Sequence, residues 1–417
     1  MLRRPVAKGR ILPKSLPLLF ILVTVAIDSM GIGLIMPVMP DLLQEVAGGD
    51  LARAAMWGGL MMTSFAVMQF LFGPGLGNLS DRFGRRPVLL VALLVMSLDY
   101  LVMALAGALW LLFLGRAISG ITAATQSTAY AYIADISKPE DKAARFGLIG
   151  AAFGIGFVLG PLIGGVLGEY GTRAPFYAAA VLAAANMAFG YFVLPESVTD
   201  KIRRPFEWRR ANPFGAFRHI GALPGLGRLL LVFFLYQIAF FVYPSVWAYF
   251  AQARFGWEPG MIGLSLALFG ISIAVVQGVL IRRIMDWLGE TRTIVYGLAF
   301  NFLAFLAMAI VTNGTLALIL TPLTAFGSVV VPALQGMMSK TTPDDSQGEL
   351  QGVLTSVSAV AIIIAPFAMT QIFALFTGEA APFFLPGAPF VLSMVLMAAC
   401  ATVFLTRPRS NLSQSDA

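Results

Sequence analysis

Gly77-Asn-Leu-Ser-Asp81-Arg82-Phe-Gly84-Arg85-Arg86-Pro-Val88 interrupts two long apolar runs, residues 55–76 before it and 87–108 after it. A polar stretch this short between such runs reads as the turn between two helices. Gly84 permits a tight change of direction. Asp81 ends the first helix, where it can face a helix N-terminus or a cation from the other half of the chain. Arg85 and Arg86 are placed to pair with acids at neighbouring helix ends, Asp135 first among them. A plain basic loop would account for the charges but not for the ordered Asp-Arg-x-Gly-Arg-Arg. Later in the chain, Arg282-Arg-Ile-Met-Asp286-Trp-Leu-Gly289-Glu290 again sets Asp-x-x-Gly between apolar runs, 260–281 and 293–312. Two like turns at matching places imply an internal repeat with a binding site between its halves, near the bilayer midplane. Chance likeness of two short polar loops is the plain alternative.

Outward from these turns the sequence is a series of roughly a dozen apolar runs long enough to cross a bilayer as helices. They cover approximately 16–38, 55–76, 87–108, 110–133, 146–168, 174–194, 228–251, 260–281, 293–312, 315–338, 352–377 and 386–406. Composition agrees: 58% of residues are hydrophobic, 12% are charged, and the mean hydropathy is +0.83. Soluble domains carry roughly twice that share of charge. The 42 glycines suit helices that pack closely in lipid. The expected fold is therefore an all-α membrane protein: twelve transmembrane helices in two six-helix, pseudo-symmetric bundles. The first bundle is expected over 1–194 and the second over 227–417, joined by a cytoplasmic loop over 195–226 that holds Lys201, Arg203, Arg204, Arg209, Arg210 and Arg218. A short cytoplasmic tail follows the second bundle.

The net charge of +7 is a topology signal. Arg53, Arg173 and Arg254 lie on one side of the expected bundle, Arg116 lies within a run, and nearly all other Lys and Arg fall on the opposite side. A bias of roughly 24 to 3 places both termini in the cytoplasm, in a multi-pass inner membrane protein. No basic-aromatic module accompanies the charge, so nucleic acid is not an expected partner. The first run resembles a signal peptide in its basic start, but it is too long and contains Asp28, Pro37 and Pro40, so it reads as a retained helix. Cys400 is alone and allows neither an intrachain disulfide nor a metal cluster. His219 reads as a solvated loop residue. Nothing in the sequence resembles a nucleophile elbow or a phosphate loop, so neither an enzyme nor a cofactor is expected. No ring of repeated charges suggests a pore.

Three ionisable residues fall deep inside the runs, all in the first half: Asp28, Asp99 and Arg116. Charge at membrane depth is costly and marks a functional site with a partner. The readings are a proton-coupling acid with Arg116 as counter-ion, or a static structural ion pair. The second half offers amides that bond without titrating, Gln237, Gln277, Asn301, Gln335 and Gln371. Beside them stand Phe240, Tyr243 and Trp247, which suit an amphipathic ligand or ordinary core and lipid packing. Gln237, Phe240, Tyr243, Trp247, Gln277, Asn301 and Gln335 are the candidate cavity residues.

The Gly77–Val88 stretch resembles the signature loop of the major facilitator superfamily. Arg116-Ala-Ile-Ser-Gly120 is similar to that family's fourth-helix arginine motif. Gly156-Phe-Val-Leu-Gly160-Pro161-Leu-Ile-Gly164-Gly165 is similar to its antiporter motif, although plain helix packing also suits glycines four apart. The resemblance is closest to the tetracycline/proton antiporters. It is carried by Asp28-Ser-Met-Gly-Ile-Gly-Leu-Ile-Met-Pro37, Leu98-Asp99-Tyr100, Tyr132-Ile-Ala-Asp135, Phe255-Gly-Trp257, Val331-Pro-Ala-Leu-Gln-Gly336 and Leu350-Gln-Gly352. It implies a monomeric exporter of a small drug, driven by protons, whose two bundles rock around a central site. It also implies a gate at Gly77, Asp81, Arg82, Gly84, Arg85, Arg86 and Asp135 on one half and Asp286 on the other. Two departures stand out: Asn301 occupies the place of a ninth-helix acid, and Ile273 that of an eighth-helix histidine, while Gln277 is kept. Export of a phenicol-like drug or a metabolite with altered coupling is the alternative. A non-transporting membrane sensor or scaffold is the alternative from another class, and it would leave the intramembrane charges without a use.

Overall fold

The structure, a computed structural model, describes residues 16–123, 125–200, 203–209, 211–215, 225–343 and 346–406. The basic N-terminal arm, Lys201, Arg210, Arg218 and His219 lie outside the described residues.

The elements are helical from end to end. The first group comprises α1 (Leu16–Ile35), α2 (Met39–Ala47), α3 (Leu51–Phe83), α4 (Arg85–Leu105), α5 (Leu109–Thr122), α6 (Thr125–Ile136), α7 (Lys142–Glu169) and α8 (Ala174–Val193). The second comprises α9 (Gly227–Phe240), α10 (Val242–Phe255), α11 (Pro259–Val275), α12 (Ile281–Ile310), α13 (Gly314–Thr324), α14 (Val330–Thr341), α15 (Gln347–Thr377) and α16 (Ala388–Leu405). Among the described residues, ten continuous helical stretches are long and apolar enough to cross a membrane. One of them, Pro259–Ile310, turns at Gly289, whose φ of 73° breaks the helix. The two shorter helices α5 and α6 cover the expected apolar run 110–133. With Pro259–Ile310 divided at Gly289 and α5–α6 taken as a crossing, the described helices are consistent with the twelve expected.

Helix ends follow local chemistry. The Asp50 side chain accepts from the Arg53 N–H at 2.9 Å and caps α3. Asn313 caps α13 in the same way, accepting from Leu316 N–H at 3.0 Å. Gly256, at φ 64°, closes α10 in the left-handed conformation that glycine tolerates.

Within each group the helices pack mainly on one another. The groups meet along α7 against α11 and along α3 against α15. These seams have an uneven depth. At the end of the bundle marked by Gly48, Gln252 Nε2 donates to Asp41 at 2.8 Å, and the Tyr249 hydroxyl presses on Gly58. Nearby, Thr63 donates to the Ile363 carbonyl at 3.1 Å, and Thr370 lies against Gly59. One apolar core runs continuously across this end, from Leu42, Leu43 and Met61 in the first group to Phe250, Phe373 and Phe390 in the second. At the opposite end, marked by Gly84, the first group has its own smaller core of Phe20, Leu89, Leu93, Tyr132 and Ile149. There Gly147, Gly150 and Gly154 on α7 face open space. The groups are thus sealed together at the Gly48 end and part toward the Gly84 end.

The glycines of the antiporter-like stretch explain the tight side of this arrangement. A side chain at Gly156, Gly160 or Gly164 would meet the α1 backbone at Ala26, Met30 and Leu34. Gly165, one position on, faces α11 instead, where a Cβ would stand 2.6 Å from the Pro259 carbonyl oxygen. Pro161 presents its carbonyl to Gly263. Small residues allow this approach because lipid supplies little hydrophobic drive between helices.

Candidate functional site

The deepest charges sit between neighbouring helices of the first group. Arg116 on α5 forms an ion pair with Asp99 on α4. Asp99 is only 4% exposed, so each charge depends on the other for compensation. The residue before the arginine makes the pair possible: a Cβ at Gly115 would lie 2.5 Å from Asp99 Oδ1. The guanidinium also rests over the Phe65 ring from α3, 5.5 Å from its centroid. Asp99 Oδ1 and Arg116 Nε remain buried without hydrogen-bond partners. Such a pair has capacity for a proton, a water or a polar ligand group.

Asp28 on α1 is half-buried and has no ion pair or hydrogen bond to another described residue. Tyr100 from α4 stands close to it, with its hydroxyl against Gly31, nearly one turn further along α1. The structure therefore gives Arg116 to Asp99 and leaves Asp28 as a membrane-depth acid without a cation.

The signature loop forms a network at the Gly84 end. Arg85 reaches Asp81 at 2.5 Å and Asp135 at 3.2 Å, joining the ends of α3 and α6. Its Nη1 also donates to Ser80 Oγ at 2.6 Å. Asp81 thus meets an arginine of its own group rather than a cation from the other. Arg86 does not pair with Asp135. Its guanidinium turns away to the Tyr191 carbonyl, 2.6 Å, and lies over the Tyr191 ring. Arg82 is exposed over Phe83, and a Cβ at Gly77 would meet open space.

A residue that the sequence reading passed over organises this corner. Glu196, just beyond α8, accepts from Arg85 N–H at 2.8 Å and Arg86 N–H at 3.2 Å, capping α4. It accepts as well from the N–H groups of Ser197 and Val198. Gly84 has φ 111°, and a side chain there would strike the Glu196 carboxylate. The glycine is required by the turn and by the acid beside it. Ser197 donates to Asp135 at 3.0 Å, and Tyr132 donates to the Pro195 carbonyl at 3.0 Å. The signal was present as Leu194-Pro-Glu196-Ser, but nothing local says where that acid folds back.

The second group's turn is built differently. Asp286 is exposed. The ion pair there joins Glu290 to Lys340 at the end of α14, 2.7 Å apart. Relative to the turn glycines, Glu290 stands where Arg85 does, and Lys340 stands one residue from its helix end as Asp135 does. The signs of the two pairs are reversed.

The candidate cavity residues divide. Gln277 is exposed in a π-helical segment, Val276–Leu280. Gln237, Phe240 and Gln335 are half-buried, and Gln237 donates to Ser358 at 3.2 Å. Tyr243, Trp247 and Asn301 instead lie in the core of the second group, at 3%, 1% and 1% exposure. Trp247 donates to Ser265 at 2.9 Å and packs with Tyr243, Phe250, Trp257 and Phe390. In this conformation aromatic neighbours surround the Tyr243 and Trp247 rings, and Asn301 Nδ2 bonds within the core, so none of the three lines an open cavity.

Apolar crossings and charges sunk within the bundle define a multi-pass membrane protein. Residues 21–366, and again 229–417, match the Major Facilitator Superfamily. The chain is 43% identical to the tetracycline resistance protein, class C, of Escherichia coli, over 86% of this chain and 89% of that one. It is 38% identical to the class G protein of Vibrio anguillarum, over 86% and 90%. In fold it is similar to a bacterial homologue of the human lysosomal transporter Spinster, solved in an inward-facing and occupied conformation. That likeness has TM-score 0.74 and 17% identity, and covers 95% of this chain and 97% of that one. The chain belongs to the major facilitator superfamily, in the family of the tetracycline resistance proteins.

Proposed function

We propose that this protein exports a small amphipathic drug, tetracycline first, in exchange for protons, across the inner membrane and as a monomer. The carrying observation is the buried Asp99–Arg116 pair with the uncompensated acid Asp28 on a neighbouring helix. A proton-coupled cycle needs a group that changes charge inside the membrane, and these two are the acids at that depth. The likeness to the tetracycline resistance proteins gives the substrate class.

The Gly84 end is the cytoplasmic one, where the basic connections gather, and both termini face it. The structure is then the state open to the cytoplasm. Drug enters the cleft, and it and a proton compete for the Asp28, Asp99 and Arg116 region. The bundles 1–194 and 227–417 rock about 195–226. When the cytoplasmic ends come together, the Asp81, Arg85, Asp135 corner and the turn at Asp286 become the gate, while the seam at Gly58, Gly59 and Gly165 opens.

Expression in cells stripped of their own exporters should lower tetracycline accumulation. Unchanged accumulation of tetracycline, with export of another amphipathic compound, would move the substrate and keep the cycle. The neutral Asn301 is the observation that favours this second cargo.

A further inference from the structure

The second group holds a buried polar nest that transport chemistry does not use. The crossing made by α13 and α14 is broken at mid-depth by a 3-10 segment, Ala325–Val329. A break of this kind frees backbone carbonyls that lipid cannot satisfy. One of them, Gly327 O, accepts two bonds: from Asn301 Nδ2 at 2.9 Å and from the Tyr236 hydroxyl at 3.2 Å. Asn301 Nδ2 also donates to the Tyr236 oxygen at 3.3 Å. The backbones approach closely to allow this. A side chain at Gly327 would collide with the Asn301 amide, and one at Gly297, one turn before Asn301, would collide with Val330. Gly297 and Asn301 thus share the face of α12 that seats the break.

We infer that Asn301 is a positioning residue that holds the broken crossing in place, through a bond an amide makes at any pH and a carboxylate makes only when protonated. Its partner is a carbonyl, an acceptor, so the side chain must donate. An amide always can, whereas a carboxylic acid donates only with its proton on. This buried contact of the second bundle is therefore insensitive to protons by construction.

Few other titratable groups face this nest. α9 brings Tyr236, α10 brings Tyr243 and α16 brings Cys400. α13, α16 and the segments Val276–Leu280 and Ala325–Val329 carry no Asp, Glu, Lys, Arg or His. On α12 the nearest charge is Arg292, about 13 Å away along the helix axis. Lys340 lies at the far end of α14.

The test compares Asn301→Leu, Asn301→Asp and Tyr236→Phe in the full chain, reading thermal unfolding in detergent at acidic and alkaline pH. Asn301→Leu should lower the midpoint equally at both. Asn301→Asp should hold near wild type in acid and fall below Asn301→Leu in alkali, where an ionised oxygen faces the Gly327 carbonyl. Tyr236→Phe removes the second donor and the longer amide contact but leaves the Asn301–Gly327 bond, so its loss should be smaller than that of Asn301→Leu and independent of pH. If Asn301→Asp responds to pH as wild type does, or Tyr236→Phe costs more than Asn301→Leu, the assignment is wrong. Should Asn301→Asp not fold, the other two variants still decide.

In vesicles, a positioning role predicts that Asn301→Leu lowers turnover about tenfold with little change in KM. Acid should restore turnover to Asn301→Asp alone. The transport arm rests on the export reading; the unfolding arm does not. Absent drug transport by the wild type, with the alkaline loss of Asn301→Asp intact, would sink the export reading and leave this inference standing.

Discussion

The two helix groups share a plan and differ in chemistry. Each carries Asp-x-x-Gly at a turn with a positive-φ glycine, Gly84 in one and Gly289 in the other. Each ties that turn to a helix end by an ion pair. In the first group the deep polar contact is ionic, Asp99 with Arg116, and the turn is gripped by Asp81, Asp135 and Glu196. In the second the deep contact is neutral, Asn301 and Tyr236 on one carbonyl, and the turn's ion pair among the described residues has a lysine 73% exposed. The contrast teaches where energy can be coupled. A buried ion pair changes when a proton arrives; an amide on a carbonyl does not. On the proposed cycle, one half responds to protons and the other holds its shape while it moves.

The largest expected effect comes from unbalancing the ionic half. Arg116→Leu leaves Asp99 buried without a counter-charge, a loss of about 3–5 kcal/mol for a broken buried pair. Both the unfolding midpoint and drug export should collapse. Asp99→Asn combined with Arg116→Gln should recover the midpoint but not export. If the double variant exports normally, the pair is only structural.

Gly84→Ala should come next. It forces a side chain into φ 111° and against the Glu196 carboxylate, at a cost of roughly 1–2 kcal/mol for the backbone alone. Export should fall at normal expression, and the equivalent Gly289→Ala, with open space around its Cβ position, should be milder. Equal losses would erase the asymmetry between the turns.

Glu196→Gln removes the charge that caps α4 while keeping the side-chain size. A loss near 1 kcal/mol is expected, seen as faster exchange of the α4 N-terminal amides by hydrogen-exchange mass spectrometry. The smallest effect belongs to Glu290→Gln. A pair whose lysine is exposed contributes below about 1 kcal/mol, so stability should hardly change, and a large drop would show that the second turn is as tightly built as the first.

Much of this was legible in the sequence because membrane depth makes charge rare. Asp28, Asp99 and Arg116 were conspicuous, and the paired Asp-x-x-Gly stretches both fold as turns on a positive-φ glycine. What the sequence could not assign were partners. Arg85 and Arg86 are adjacent and alike, yet one bridges two acids and the other turns to a carbonyl and a ring. Glu196 lies far from Gly84 along the chain and touches it only after α8 returns. Tyr243 and Trp247 had the residue types of a ligand cavity, but their rings are spent on one another. Asn301 was visible as a lost charge; its work on the broken crossing depends on where Ala325–Val329 folds.

The central claim is that the proton cycle belongs to the first group. It is tested most directly by drug-driven proton movement in inverted vesicles, with Asp28→Asn and Asp99→Asn compared singly and together at matched expression. Asp28→Asn should abolish proton movement while passive drug exchange survives. Normal proton movement in both single variants and in the double one would contradict the claim and move the coupling to Asp81, to Asp135 or out of the protein's cycle altogether.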